Sequence, residues 1–274
     1  MAFSSALYRA RSYVRHQLTA WHTGGEGVHS PTLFYIVRMI MYDDNAYYAF
    51  PQIEQQRERL LHNTNTLCQI DYGTGARARE NGGNTGILRR IADIARSHLA
   101  PPATGQLLFR LANYLTVSLR TPLTIVELGT SLGITTAYLA SPNRANTVLT
   151  YEGAEEVADE AMKTWRTLGL TNIEPMIGNI DQTLAASCPK QVDLAYIDAN
   201  HTYEATLRYF RQLLSAAGQQ SIYVVDDIHH SPEMERAWCA IQAVPQVTST
   251  IDCYNFGLVF FDKHYIRKHY RMRI

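Results

Sequence analysis

Four cysteines in 274 residues are few, and no two of them form a CxxC pair. Cys68, Cys188, Cys239 and Cys253 lie far apart, which excludes a zinc ribbon and a disulfide-framed secreted fold. Each thiol is expected as a small buried apolar group in a reducing compartment. Charge of one sign is also lacking: 25 Lys and Arg against 25 Asp and Glu leave a formal charge of +0, so no global field recruits nucleic acid or an anionic membrane. No apolar run reaches the length of a membrane span, and the opening "MAFSSALYRARSYVRHQL" interrupts its apolar positions with arginines, unlike a signal peptide. The cytoplasm is the expected location. Low-complexity sequence is absent, and 46% apolar residues can bury a substantial core.

What is present, from Thr121 onward, is an alternation. "LTIVEL", "TVLTYE", "NIEPMIG", "VDLAYID" and "SIYVVDD" read as strands, each followed by a helical pattern such as "AEEVADEAMKTWRTLG" or "TYEATLRYFRQLLSAAG". This specifies an α/β fold in which a mostly parallel sheet carries helices on both faces through right-handed crossovers. Two last runs, "VTSTID" and "GLVFFD", are joined by a short link with Asn255 and Gly257 and read as a hairpin. The seven-stranded sheet therefore ends in an antiparallel strand.

The first hundred residues read mostly as helices: Ser4 to Leu18, Ser30 to Met41, Ile53 to His62 and Thr85 to Leu99. Ser30 and Pro31 supply a cap and a first turn. Between the last two helices, "DYGTGARARENGGNTG" (Asp71 to Gly86) reads as a mobile loop suited to a lid. The expected division is a helical extension over 1–103, covering an acceptor pocket, and a Rossmann-like domain over 104–274.

Ligands of open parallel sheets bind beyond the carboxyl ends of the strands, and Glu127, Gly129 and Gly133 of "ELGTSLGITT" fall there. Gly129 can take backbone angles that a side chain resists, and Gly133 opens the next helix to a ligand. The next strand ends in Glu152, about 25 residues on, where a carboxylate can accept hydrogen bonds from both hydroxyls of a ribose. The ligand therefore contains a nucleoside. Two glycines in E-x-G-x-x-x-G are one short of the three-glycine fingerprint that seats a dinucleotide pyrophosphate.

On those residues the chain resembles the class I S-adenosylmethionine-dependent methyltransferases, which pair such a glycine motif with an acidic second strand and add an antiparallel last strand. "IDYGTGA" near Ile70 mimics the motif, but no strand ending in an acidic residue follows it at the right distance. The resemblance implies S-adenosylmethionine as cofactor, with Glu127 and Gly129 at its methionine end and Glu152 on the ribose. "IGNID" approaches the adenine, where Gly178 ends the third strand and Asn179 or Asp181 either bonds the exocyclic amine or caps the next helix.

Asp198 closes the fourth strand and Asp226 with Asp227 closes the fifth, and a set of hard oxygens suits Mg²⁺ or a similar divalent cation. Here the chain is similar to the catechol and caffeoyl-CoA type of O-methyltransferase, in which an Asp after strand four and an Asp-Asn pair after strand five bind the metal. Asp227 stands where that pattern has Asn, which makes the site more negative. His201 stands where that family places a lysine base, and an imidazole of ordinary pKa about 6.5 can take a proton from a metal-acidified hydroxyl. The alternative for Asp198 and His201 is a helix cap, with no part in chemistry. His229 and His230 read as outer neighbours of this site or as substrate-facing groups.

The closing "KHYIRKHYRMRI" reads as an edge strand blunted by charge in preference to an RNA-binding tail. Val28, His29, Tyr47 and Tyr48 read as core packing, with substrate contact as the alternative. Transfer to an oxygen of a small hydroxylated acceptor is the favoured activity, and a homodimer stays open. The competing readings are a metal-independent methyltransferase acting on nitrogen or RNA, and a non-catalytic protein that only binds S-adenosylmethionine.

Overall fold

The computed structural model describes residues 2–69 and 86–274. The loop expected over Asp71–Gly86 lies, apart from Gly86, outside those residues. The chain forms two compact units, one made of Met1–Asp44 with Lys190–Ile274 and the other of Asn45–Pro189.

The first unit opens with α1 (Ala2–Thr19), close to the helix expected there. Ser30 then caps α2 (Pro31–Tyr35): its Oγ accepts from the Leu33 amide at 3.4 Å, and Pro31 sits in the first turn, where no N–H is needed. The helix continues as a π-helical stretch, Ile36–Met41, in which the Tyr42 amide reaches back to Val37 O at 3.2 Å.

The second unit begins with α3 (Ala49–Leu61). Beyond it the structure corrects the helix expected over Thr85–Leu99. Residues Ile87–Arg90 form a strand, β2, antiparallel to β1 (Thr66–Gln69), and the helix α4 covers only Ile91–His98. Arg90 pairs with Thr66, the first residue of β1, so the ladder ends there and a helix can start at Ile91. After α5 (Pro102–Leu119) come β3 (Thr124–Leu128), α6 (Ile134–Ala140), β4 (Thr147–Glu152), α7 (Glu155–Thr167), β5 (Ile173–Ile177) and α8 (Ile180–Ser187). Strands β3, β4 and β5 lie side by side in that order and run parallel.

The chain returns to the first unit with β6 (Val192–Ile197), α9 (Tyr203–Leu214), β7 (Ala217–Asp226) and α10 (Pro232–Gln242). Then come β8 (Ser249–Asp252), β9 (Phe256–Phe260) and β10 (Lys268–Arg271). Their order is β10-β8-β9-β7-β6, and only β9 runs against its neighbours. The α/β, mostly parallel architecture and the terminal hairpin are as expected, with β9 as the antiparallel strand. Among the described residues the strands apart from β1 and β2 number eight instead of seven, because the basic tail adds β10. β6 is buried along its whole length, as befits a strand covered on both faces.

Two smaller expectations are corrected. Only Cys253 is a buried thiol; Cys68 and Cys188 are half-buried and Cys239 is exposed, all four unpaired. Val28 is buried, and Tyr47 packs its ring 4.9 Å from that of Phe109, but His29 and Tyr48 are exposed. Tyr48 is held at the surface by its hydroxyl, which donates to Ser141 O at 2.7 Å.

Candidate functional site

In the second unit, β3 ends in a turn whose backbone carries positive φ at Gly129 (+99°), Ser131 (+48°) and Gly133 (+79°). The amides of Gly129 and Thr130 donate to Tyr151 O at 3.0 and 3.2 Å, so the turn is strapped to the end of β4. Glu152, the last residue of β4, closes the same arrangement: its Oε2 accepts from the Ser131 amide and its Oε1 from the Ala154 amide, both at 2.9 Å. Burial raises the pKa of this carboxyl above the ordinary range, while the Ala154, Ser131 and Gly153 amides pull it back. A carboxylate has about four lone-pair sites, so Glu152 keeps acceptor capacity beyond these three amides.

Glu127 is 0% exposed, and both Thr136 Oγ1 and Thr150 Oγ1 donate to its Oε2, at 2.5 and 2.6 Å. Thr130 in the turn meets Thr150 at 2.6 Å, so Glu127 and the threonines brace the glycine turn from beneath. At Gly133 a Cβ would lie 2.5 Å from Trp165 Nε1 and 2.8 Å from Ala161 Cβ. Trp165 also donates to Gly133 O at 2.9 Å. Close packing of α6 on α7 thus accounts for this glycine.

Beyond β5, Gly178 has φ +127° and its amide donates to Glu152 O at 2.8 Å. Asn179 caps α8, its Oδ1 accepting from the Asp181 amide at 3.0 Å, and Asp181 is exposed. Ile177 stands opposite Glu152 in the strand register and is 39% exposed, an apolar surface at a polar rim.

The first unit gathers the remaining candidates. Asp198 follows β6, Asp226 ends β7, and Asp227 next to it has φ +54°. His201 Nε2 lies 3.0 Å from Asp198 Oδ1 and 3.5 Å from Asp227 Oδ2. The Tyr196 hydroxyl reaches Asp226 Oδ2 at 2.9 Å and Asp198 Oδ2 at 3.2 Å. Burial works to lower the basicity of His201, yet the hydrogen bond and charge of Asp198, with Asp227 and Asp226 behind it, push its pKa up to about 9. Asp226 is raised well above the usual carboxylate range by burial and by the Asp198 and Asp227 charges. The helix cap of α9 is Thr202, whose Oγ1 accepts from the Ala205 amide at 3.4 Å, so Asp198 and His201 are not needed as caps.

His230 Nδ1 stands 3.7 Å from Asp227 Oδ2. His229 does not face outward: it is buried and meets Asp252. Three contributors were missed in the sequence, namely Tyr196, Thr136 and Thr150. Tyr196 could have been found, because strand alternation puts it on the same side as Asp198, two residues on.

Residues 126–228 match the family described as a methyltransferase domain. A search of curated proteins gave no match. Among solved structures, the chain is similar to an O-methyltransferase from Bacillus cereus in complex with SAH, at 17% identity and TM-score 0.55 over 81% of this chain and 94% of that one. It is similar to an O-methyltransferase from Streptomyces achromogenes involved in tomaymycin synthesis, in complex with SAM, at 20% identity and TM-score 0.52 over 60% and 82% of the two chains. A putative caffeoyl-CoA O-methyltransferase from Staphylococcus aureus matches at 16% identity and TM-score 0.52 over 62% and 88%. At such identities the likeness is one of fold.

Proposed function

We propose that this chain is an S-adenosylmethionine-dependent methyltransferase acting on a hydroxyl oxygen of a small acceptor. The observation that carries the reading is the tie between Glu152 and the Ser131 amide, which sets a half-buried carboxylate beside a glycine turn at the end of adjacent parallel strands. In this reading Glu152 accepts from the ribose hydroxyls, Gly129 admits the methionine end to the bare backbone, and Glu127 holds that turn in shape. Gly178 and Asn179 border the adenine, and Ile177 covers one of its faces.

Methyl transfer is an in-line displacement: the acceptor oxygen bonds the methyl carbon, the carbon–sulfur bond breaks, and the sulfonium leaves as a neutral thioether. The hydroxyl proton must also leave. Holding the two reactants in line can supply roughly 7–11 kcal/mol of the barrier reduction, so positioning carries most of the catalysis.

The oxygen donors of Asp198, Asp226 and Asp227 suit a hard divalent cation in chemistry, since mutual repulsion and burial raise Asp226, although their ligand atoms are spread wider than a closed set and would have to draw together around the ion. Such an ion, Mg²⁺ or a similar cation, would acidify an acceptor hydroxyl. His201 holds its proton at neutral pH through Asp198 and Asp227, and it becomes a proton acceptor when those carboxylates are engaged elsewhere. A second reading, transfer without metal, is favoured by His201 and Tyr196, which already engage oxygens of all three carboxylates.

The test is transfer of a labelled methyl group to a panel of catechols and other hydroxylated acceptors, with Mg²⁺ and with chelator. Oxygen methylation that chelator abolishes supports the full reading. Methylation indifferent to chelator removes the metal, and cofactor binding without any product removes the enzyme. We also place the protein in the cytoplasm, as its unpaired cysteines suit reducing conditions. A homodimer is supported by the exposed Leu7, Val14 and Leu18 on α1, and light scattering tests it.

A further inference from the structure

We propose that His16, His229 and Asp252 form a Zn²⁺ site that fastens α1 to the body of the first unit. The three residues come from α1, the β7–α10 connection and the end of β8, and they are 2%, 4% and 2% exposed. One ligand atom from each lies within 4.8 Å of the others, and among the described residues no other group of three histidine, cysteine or acidic side chains meets that condition.

The hydrogen bonding around His16 points to a cation. Its Nε2 lies 2.9 Å from Met272 O, a carbonyl that can only accept, so Nε2 carries the hydrogen. Nδ1 of the neutral ring then presents a lone pair, and it faces Asp252 Oδ1 at 3.3 Å, buried and without a hydrogen-bond partner. A lone pair against a carboxylate oxygen is repulsive, so the contact needs either a second proton on the ring or a metal ion in that proton's place. His229 approaches the other oxygen, with Nε2 2.9 Å from Asp252 Oδ2.

The spacing suits a metal. Ligands bound at about 2.0–2.1 Å around tetrahedral zinc stand about 3.3 Å from one another, close to the 3.3 and 2.9 Å separations here. Two imidazole nitrogens and one carboxylate match the ligand preference of Zn²⁺, while Mg²⁺ takes oxygen ligands. His16 also has the outer support typical of a metal-bound imidazole, its far nitrogen fixed by a backbone carbonyl. Zinc takes both rings neutral and Asp252 ionised, so any proton held between them leaves to solvent on binding. Arg271 Nε, 3.3 Å from Asp252 Oδ2, helps keep that carboxylate ionised.

The experiment strips the full-length protein with chelator, returns Zn²⁺ in the presence of excess Mg²⁺, and measures bound zinc by elemental analysis. About one zinc per chain is expected in the wild type and in Asp198→Asn, and its loss in His16→Gln and in His229→Gln. Because Asp198→Asn keeps the ion, the result is independent of the methyltransferase reading. Should either histidine variant fail to fold, Co²⁺ added to the wild type decides: a four-coordinate site with nitrogen ligands gives intense visible absorption, and oxygen-only octahedral binding gives a faint one. Wild-type protein that retains no zinc, zinc that survives both histidine substitutions, or a faint Co²⁺ spectrum overturns the proposal.

Discussion

Glu152 accepts the backbone amide of Ser131 at 2.9 Å, so the end of β4 and the turn after β3 are held as one piece. A ligand that uses this carboxylate meets a turn already in place, and the ordering cost is met during folding.

Glu152→Gln should weaken S-adenosylhomocysteine binding by roughly 10- to 100-fold, since hydrogen bonds to a charged group carry about 1.5–3 kcal/mol. Isothermal titration calorimetry measures it. An affinity within a factor of two of the wild type removes Glu152 from the cofactor site.

Gly133→Ala should destabilise the second unit by about 2–4 kcal/mol, combining a left-handed backbone with overpacking. The added carbon would lie 2.5 Å from Trp165 Nε1, inside any tolerable contact. Urea unfolding followed by tryptophan fluorescence reads the change, and an unaltered midpoint contradicts the packing account.

His201→Gln and Asp198→Asn should each lower kcat by about 10²–10⁴-fold, the range for a group that handles a proton in the transition state. Cofactor affinity should hardly change in His201→Gln, which separates chemistry from binding. Equal losses in kcat and in cofactor affinity would mean that His201 only supports the fold.

Glu235 ties α10 to α1, accepting from the Tyr8 hydroxyl at 2.5 Å and pairing with Arg15. Burial alone would raise its pKa, but Tyr8 and Arg15 hold it below the ordinary 4.5. A depressed carboxylate stabilises the fold in full above its unfolded value, and that contribution is lost as the pH falls through the folded one. The pair is partly exposed, so its worth is about 0.2–1 kcal/mol. The stability difference between wild type and Glu235→Gln should therefore be present at neutral pH and vanish in acid, as read from denaturant midpoints across the range.

The parallel strands were legible because "TIVEL" and "VDLAYI" are short, mostly apolar runs broken by one acidic residue each, which fits strands buried on both faces. β1 and β2 were not, since each is four residues long and mixes polar with apolar groups, so periodicity had nothing to act on. Glu152 was recognised from its place at a strand end. The bracing of Glu127 by Thr136 and Thr150 depends on which way buried hydroxyls turn, and no spacing encodes that. His16 and Asp252 lie at opposite ends of the chain, and only the tertiary fold brings them to 3.3 Å.

β10 has a further consequence. It pairs along β8 from Lys268 opposite Ser249 to Arg271 opposite Asp252, and every residue of β8 is buried. Trimming the last seven or so residues would bare a row of amides and carbonyls on a strand that is otherwise buried, the kind of border that recruits another chain. The basic tail thus acts as a selvedge that keeps neighbouring molecules from knitting together.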